Sequence, residues 1–368
     1  MKRILILLVL LLSCLALYSC GEEETGEEIW SFSLSSPIYS SPSIKGDRIV
    51  LNGLEGIVAC LNGDGGLVWK YKLNDDETIL SSPLIEDERV FITSVLNKGK
   101  IYCLDLNYGE KFWEYEVSSP IVSSPALYDN KVFFAGTDGT IYAFSWQGSL
   151  IWNIRVEGAV YATPAVEDGK LIVGTSTGKV YCINASTGEI IWDSKLESPI
   201  ELEASIDDSN RVYIVTSSNK LYCLDLDDGT DLWEVSFSSR VCAPPSYSDG
   251  KVLIPLSDGS IYAISPRGGS IFWSYKAEDG SPSALCPTDG YVYFVDINGK
   301  LYCLNISNGE EKWTHDLGSP AYSSPIAKGE RVYIGTVSGK IYCIKGNSSE
   351  ANWPTFQGNN ARTGKEER

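Results

Sequence analysis

The chain has 368 residues, of which 43% are hydrophobic and 21% are charged, and its formal net charge at pH 7 is -18. A chain of this length and apolar content can bury a large core. A surface this acidic repels phosphate backbones and anionic lipid, which argues against nucleic-acid binding and against membrane docking through basic patches.

The N-terminus carries the features of a targeting signal. Lys2 and Arg3 precede an apolar run over residues 4–17, which is shorter than the ~20 residues that a membrane-spanning helix needs. The run ends in LYSC at residues 17–20, which resembles the lipobox of bacterial lipoproteins. We predict a signal peptide over residues 1–19, lipidation of Cys20 and an acidic tether over residues 20–28. An ordinary cleaved signal is the alternative.

Tryptophan recurs along the rest of the chain with a period near 40 residues. The in-phase positions are Trp30, Trp69, Trp113, Trp152, Trp192, Trp233, Trp273, Trp313 and Trp353. Only Trp146 is out of phase. No stretch shows helical periodicity, and a period near 40 in an all-β pattern predicts the blades of a β-propeller.

Each period contains four short strand patterns. In the first repeat they are SSPSI, RIVLNG, IVACL and LVWKYKL, and the second and third are separated by Glu55-Gly56. An X-Gly pair between alternating apolar runs predicts a hairpin, because primed turns need the positive φ that glycine adopts without steric cost. The fifth repeat has Ser218-Asn219 there, and asparagine also tolerates this backbone.

Eight such sets predict an all-β, eight-bladed propeller of four-stranded blades over residues 29–346. The segment around Trp30 resembles a fourth strand without three strands before it, and the last repeat lacks a regular fourth strand. We therefore predict that the N-terminal strand completes the last blade and closes the ring. A strand around Trp353 is the alternative for closing the ring. This residue belongs to a predicted C-terminal tail over residues 347–368.

The motif KVYCINASTGEIIW, residues 179–192, combines a small residue, a glycine and a tryptophan. We predict that the indole is buried against a glycine peptide, in this blade and in others; the clearest glycines are Gly109, Gly188, Gly229 and Gly309. Most cysteines occupy one position, which Ala143 and Ala263 fill elsewhere. A position that accepts cysteine or alanine indicates a small buried slot, so we expect free thiols. The absence of a CxxC pair and the single histidine argue against a zinc or copper site.

These residues resemble the tryptophan-docking repeats of the PQQ-like β-propeller family over about residues 29–364. The tail WPTFQGNNARTG, residues 353–364, also resembles a segment found in such proteins. The family includes dehydrogenases that carry pyrroloquinoline quinone and calcium, and the resemblance implies long insertions and commonly a vicinal disulfide for those enzymes. The intervals between tryptophans leave no room for insertions, and no Cys-Cys pair exists. We therefore predict no catalysis, no cofactor and no metal.

Three function classes follow from the resemblance. The favoured one is an exported lipoprotein that acts as a monomeric protein-binding scaffold in the bacterial cell envelope, in the manner of BamB-type outer-membrane assembly factors. In the lipoprotein sorting of Gram-negative bacteria, a residue other than aspartate after the lipidated cysteine favours the outer membrane, and Gly21 is compatible with this destination. A propeller that senses a ligand or a polysaccharide is the alternative, and a quinone-dependent dehydrogenase is the third class.

Departures from the repeat mark the candidate binding residues. Glu201 and Glu203 replace the tyrosine or aliphatic residue and the serine of the innermost strand, and alternation places both carboxylates on one face. Arg240 in the next repeat is a possible partner for one of them. Trp146 is either a partner contact or a residue packed beneath its own blade. We expect Asp207 and Asp208 to be exposed turn residues.

Overall fold

The computed structural model describes residues 25–74, 77–95, 98–281, 283–347, 352–353 and 359. These residues form eight antiparallel sheets, and consecutive sheets contact each other through their innermost strands. The prediction of an all-β, eight-bladed propeller is therefore confirmed. In the described residues no helix is long and apolar enough to cross a membrane. Cys20 and most of the C-terminal tail lie outside the described residues.

The strands follow a regular order from the innermost to the outermost of each blade. The first four blades contain β2 (Ser43–Lys45), β3 (Arg48–Gly53), β4 (Ile57–Asn62), β5 (Leu67–Lys72); β6 (Leu84–Glu86), β7 (Arg89–Ser94), β8 (Lys100–Asp105), β9 (Lys111–Glu116); β10 (Ala126–Tyr128), β11 (Lys131–Ala135), β12 (Thr140–Ser145), β13 (Leu150–Arg155); β14 (Ala165–Glu167), β15 (Lys170–Gly174), β16 (Lys179–Asn184), β17 (Ile190–Lys195).

The remaining blades contain β18 (Ser205–Ile206), β19 (Arg211–Val215), β20 (Lys220–Asp225), β21 (Asp231–Ser236); β22 (Ser246–Ser248), β23 (Lys251–Pro255), β24 (Ser260–Ile264), β25 (Ile271–Lys276); β26 (Cys286–Thr288), β27 (Tyr291–Val295), β28 (Lys300–Asn305), β29 (Glu311–Asp316); and, in blade eight, β30 (Ile326–Lys328), β31 (Arg331–Gly335), β32 (Lys340–Lys345) with β1 (Glu28–Ser33) and β33 (Asn352–Trp353).

The N-terminal strand closes the ring, as predicted. β1 pairs antiparallel with β32, with Trp30 opposite Cys343 and Phe32 opposite Ile341. Backbone hydrogen bonds extend the pairing, since the Gly26 amide donates to the Lys345 carbonyl. The strand around Trp353 takes a different place. β33 pairs with the innermost strand β30, so the tail returns beside the axis and does not complete the outer edge of the blade.

The second and third strands of each blade supply most of the core, and the outermost strand is largely exposed. In blade four, β15 and β16 are buried over most of their length, whereas β17 alternates between exposed and buried residues. The tight turns follow the predicted chemistry: Gly56 and Asn219 both have positive φ, at 71° and 63°. Adjacent blades then share clusters of aliphatic and aromatic side chains that bury both faces of each inner sheet.

The small residue of the repeat lies directly opposite the tryptophan across the third and outermost strands. Cys182 pairs with Trp192 and Ala143 with Trp152, and a bulge follows each pair. The eight cysteines in the described residues are free, and only Cys242 is not fully buried. Burial raises the pKa of the Cys182 thiol to about 12. These observations fit the predicted slot for a small residue.

Each tryptophan docks on the blade that follows its own. The Trp152 ring lies against Gly188, where an added Cβ would be 2.8 Å from the indole, and its Nε1 donates to the Ala185 carbonyl at 3.2 Å. The same contact recurs in all blades, in the pairs Trp30–Gly65, Trp69–Gly109, Trp113–Gly148, Trp152–Gly188, Trp192–Gly229, Trp233–Gly269, Trp273–Gly309 and Trp313–Gly26. We call this set the docking belt. Its last pair joins Trp313 of blade seven to Gly26, which precedes β1 of blade eight, so the N-terminal segment that closes the ring also completes the docking belt.

Candidate functional site at the axial mouth

The two faces of the propeller carry different loops. One face carries the turns between the second and third strands and the segments that join consecutive blades, as the bond from the Leu73 amide to the Gly56 carbonyl shows. We call it the connection face. The other carries the glycine loops of the docking belt, and we call it the docking face. The innermost segments run from the connection face towards the docking face, so Tyr39 lies nearer the connection face than Ser41.

A ring of hydrogen bonds links the innermost segments around the axis. The backbone N–H of Ser41 donates to the Ser82 hydroxyl at 3.1 Å, and Ser82 donates in the same way to Ser124 at 2.9 Å. In the described residues six such bonds run from blade seven through blades eight and one to blade five: Ala284–Ser324, Ser324–Ser41, Ser41–Ser82, Ser82–Ser124, Ser124–Thr163 and Thr163–Glu203. We call this ring the serine belt. It couples neighbouring blades where they share no strand ladder.

The preceding serine of the repeat ties the same segment to its own blade. The Ser81 hydroxyl donates to the Thr93 carbonyl at 3.2 Å and accepts from the Thr93 amide at 3.3 Å. This side chain therefore takes the place of a backbone ladder, and the innermost strand of blade two begins only at Leu84. The sequence pattern predicted an innermost strand starting at the serines, and the hydroxyl bonds explain the later start.

Glu203 ends the serine belt. Its Oε1 accepts from the Thr163 hydroxyl at 2.9 Å and from the Thr163 amide at 3.3 Å. The next blade has Pro244 at the equivalent position, and proline has neither an N–H nor a hydroxyl. Blade seven has Ala284 there, which offers no hydroxyl. The belt is therefore interrupted on one side of Glu203, between blades five and seven.

An axial cavity of about 220 Å³ opens beside this interruption. It is lined by Tyr39, Ser40, Ser41, Leu80, Ser82, Val122, Ser124, Glu203, Cys242, Ala243, Pro244, Ala284, Tyr322 and Ser324. The Tyr39 and Tyr322 rings stack with centroids 5.8 Å apart at the mouth, and each is about 40% exposed. Among the described residues that line the cavity, Glu203 is the only charged one.

Glu201 and Arg240 lie in a second pocket on the same face. This pocket has a volume of about 650 Å³, is formed between blades five and six, and also includes Tyr161, Leu202 and Ser217. The structure thus brings Glu201 and Arg240 to one pocket and Glu203 to the neighbouring cavity. Within the described residues Arg240 forms no ion pair within 4 Å with Glu201 or Glu203, and Arg240 and Glu201 are both exposed.

Trp146 lies on the docking side, away from both pockets. Its half-buried ring packs against the core shared by blades two and three, and the Arg89 guanidinium lies 5.2 Å from its centroid. The same guanidinium lies 5.3 Å from the Phe112 ring. This sandwich is a cation–π contact that fixes the loop, and it matches the packed alternative for Trp146.

Two buried acids are stabilised by hydrogen bonds from neighbouring side chains. Asp207 is 1% exposed, so the expectation of an exposed turn residue is wrong for it, whereas Asp208 is exposed. The Asp207 carboxylate accepts from the Tyr213 hydroxyl at 2.7 Å and pairs with Arg211. Glu77 is similarly buried. Desolvation opposes its ionisation, but hydrogen bonds from Tyr102, Asn74 and Lys100 outweigh it and lower the pKa of Glu77.

The sequence reasoning found the two glutamates but missed the serine belt and the residues that interrupt it. The signal was present in the repeated SSP triplet and in its replacement by APP in blade six, at residues 243–245. The pattern alone does not show that the second serine bonds to the neighbouring blade.

The model of the family described as outer membrane protein assembly factor BamB matches this chain over residues 17–98, 54–199, 200–288 and 257–365. No curated protein sequence matches the chain. Among solved structures, BamB from Moraxella catarrhalis is 19% identical with a TM-score of 0.74, over 88% of this chain and 98% of that chain. The computationally designed protein Ika8 is 18% identical with a TM-score of 0.78, over 87% and 100% of the two chains.

A europium-containing methanol dehydrogenase is also similar in structure, with 12% identity and a TM-score of 0.76 over 87% of this chain and 93% of that chain. At these identities the similarities show the shared fold alone. Pyrroloquinoline quinone carries several carboxylates, and the only charged side chain described around the axial cavity is the carboxylate of Glu203, so the described lining offers no cationic side chain to such a cofactor.

Proposed function

Because the chain belongs to the family of the outer membrane protein assembly factor BamB, we propose that it is a non-catalytic scaffold that binds protein partners in the cell envelope. The observation that carries this proposal is the family match, which extends over nearly the whole chain. We further propose a lipid anchor at Cys20 and a role in outer-membrane protein assembly, which is the task that the family description names.

The connection face is the surface we propose for the partner. Both pockets open there, and the residues that depart from the repeat, Glu201, Glu203 and Arg240, line them. Half-exposed apolar side chains, Leu80 and Tyr161 among them, surround these charges. Apolar contacts near a few charged groups are typical of protein interfaces, in which the charges set orientation and the apolar contacts supply affinity.

Site-specific photo-crosslinking in the native host tests this proposal. A benzoylphenylalanine at Ser217, in the pocket with Glu201 and Arg240, should crosslink a component of the outer-membrane barrel-assembly machinery. The matched control carries benzoylphenylalanine in place of Ser307, which is exposed on the docking face of blade seven. Equal crosslinking from both positions would contradict the choice of the connection face.

A second candidate is a propeller that binds a polysaccharide or a small ligand, and the exposed rings of Tyr39, Tyr161 and Tyr322 favour it. Stable association with envelope polysaccharide, with no protein crosslinked from Ser217, would support this candidate. A dehydrogenase remains a third outcome. A saturable rise of the melting temperature with pyrroloquinoline quinone and calcium, together with dye-linked alcohol oxidation, would overturn the non-catalytic proposal.

A further inference from the structure

The axial cavity has a fixed negative group at its floor. The Glu203 carboxylate occupies a serine position of the belt, and two bonds from Thr163 hold its Oε1. The serine belt therefore orients the carboxylate as well as joining the blades. Neither Pro244 nor Ala284 on the other side carries a side-chain donor. This difference gives one sector of an otherwise uncharged ring a negative charge.

The walls of the cavity suit the stem of a ligand with a terminal cation. The mouth is formed by Tyr39, Leu80, Val122 and Tyr322, and the floor by hydroxyls and Glu203. Mouth and floor residues are two positions apart on extended segments, which is about 6.5 Å. A short alkyl chain spans this depth, with its methylenes against the apolar and aromatic side chains and its charged end at the carboxylate.

The chemistry of the lining distinguishes between possible ligands. An anion is disfavoured by the charge of Glu203. A divalent metal ion prefers six or more oxygen ligands and usually several carboxylates, and the described lining supplies a single carboxylate. An alkylammonium group needs one carboxylate and a few neutral acceptors, and the hydroxyls of Thr163 and Ser124, the belt residues that lead to Glu203, are such acceptors.

We propose that the axial cavity on the connection face binds an alkylammonium group. Glu203 is the counter-ion of the ammonium, and the side chains of the tyrosine-lined mouth contact the methylene groups of the ligand. The group is either a small amine or a lysine side chain that a bound polypeptide inserts. The proposal concerns the ligand group and does not depend on the scaffold role. If Ser217 crosslinks a protein partner but no amine binds, the ammonium-site proposal is contradicted and the scaffold proposal still holds.

Titration of the full-length protein tests the site, with ligand-observed NMR at low ionic strength as the measurement. The probe is Nα-acetyl-lysine methylamide, and its Nε-acetylated form is the neutral control. We expect the first to bind and the second to bind at least about tenfold more weakly, because a charged hydrogen-bonded pair contributes more than about 1.4 kcal/mol. Equal binding of both probes would overturn the proposal.

Substitutions then locate the site. Glu203→Gln should weaken binding of the lysine probe at least about tenfold by the same reasoning. Glu197→Gln is the matched control, because Glu197 is an exposed acid of the same connection face that bonds to Ser218 and Lys220. It removes the same charge and should change the dissociation constant less than about twofold, as expected for a screened surface charge. Equal effects of the two substitutions would overturn the proposal.

A third variant separates loss of charge from loss of fold. Glu203→Ser restores the residue that the belt has in blades one, two, three and eight, so it should remain folded by thermal melting and still lose the lysine probe. Retained binding by this variant would contradict the role of Glu203. A glycine-serine peptide with one lysine identifies the source of the group: tighter binding than the single residue indicates a polypeptide, and equal binding indicates a small amine.

Discussion

The docking belt and the serine belt encircle the same axis, yet only one of them is complete. The docking belt repeats in all eight blades, and its last pair uses Gly26 ahead of the first strand. The serine belt is interrupted between blades five and seven, where Glu203, Pro244 and Ala284 replace the hydroxyl residues. Loss of one docking contact would open a seam between two blades, whereas loss of a serine bond removes a weaker, local link. The inner ring therefore has the freedom to carry a binding site.

Truncation of a docking tryptophan should have the largest effect on the free energy of unfolding. Trp192 is 9% exposed, lies against Gly229 and donates from Nε1 to the Leu226 carbonyl at 3.0 Å. Trp192→Ala should cost about 3–5 kcal/mol through the cavity it leaves between blades four and five. Urea denaturation followed by tryptophan fluorescence measures this cost. Leu232→Ala, at a 45% exposed residue of an outermost strand, is the control and should cost less than about 1 kcal/mol.

Substitution of the partner glycine should have the next largest effect on the free energy of unfolding. Gly229 has a φ of 75°, and a Cβ there would be 2.6 Å from the Trp192 ring. Gly250 has a φ of 66° in a turn, with no atom within 4 Å of the same Cβ. Alanine at either site meets the backbone strain of about 1–2 kcal/mol, but only Gly229→Ala adds a steric clash of about 1–3 kcal/mol. Thermal melting of the two variants separates the backbone strain from the steric clash. Equal losses of stability in both variants would contradict the docking role of Gly229.

The sequence predicted the complete belt better than the incomplete one, for a physical reason. A period near 40 shows which residues occupy equivalent positions, so the spacing of the tryptophans from Trp30 onwards predicted both the eight blades and the closing strand. The same period does not report whether Gly188 contacts the tryptophan of its own blade or that of the preceding one. The structure selects the preceding one, Trp152.

Polar side chains were harder to place for the same reason. Asp207 reads as a turn residue, but it is buried because Tyr213 and Arg211 satisfy its carboxylate within the blade. Glu203 was identified as a departure from the repeat, while its bonds to Thr163 depend on the neighbouring blade. Contacts between blades join residues about 40 positions apart, and no local pattern encodes such pairs.

The serine belt should respond more weakly than the docking belt. Ser82→Ala removes the hydroxyl that accepts from the buried Ser41 amide, and should cost about 1–2 kcal/mol because that donor is left unsatisfied. The matched control is Ala284→Ser. It adds a hydroxyl where the preceding blade has Pro244, which has no N–H to donate, so it should change stability by less than about 0.5 kcal/mol. Equilibrium denaturation in urea measures both. A stabilising Ala284→Ser would contradict this account of the interruption.

The small slot beside the docking belt should show the smallest effect at neutral pH and a distinct one at alkaline pH. Cys182 stands where other blades have alanine, so Cys182→Ala should cost less than about 1 kcal/mol at pH 7. Burial raises the pKa of its thiol from about 9 to about 12, so above pH 9 the unfolded chain loses this proton while the folded chain keeps it. The thiol's contribution to stability is therefore complete below pH 9 and is lost as the pH rises towards 12. Removing the thiol should reduce the alkaline loss of stability by about 1.4 kcal/mol per pH unit. Urea denaturation at pH 8 and pH 10 measures the difference, with Ser186→Ala in the adjacent loop as a control that keeps the wild-type slope. An unchanged slope in Cys182→Ala would show that this thiol ionises equally in both states, and the slot would then be open to solvent.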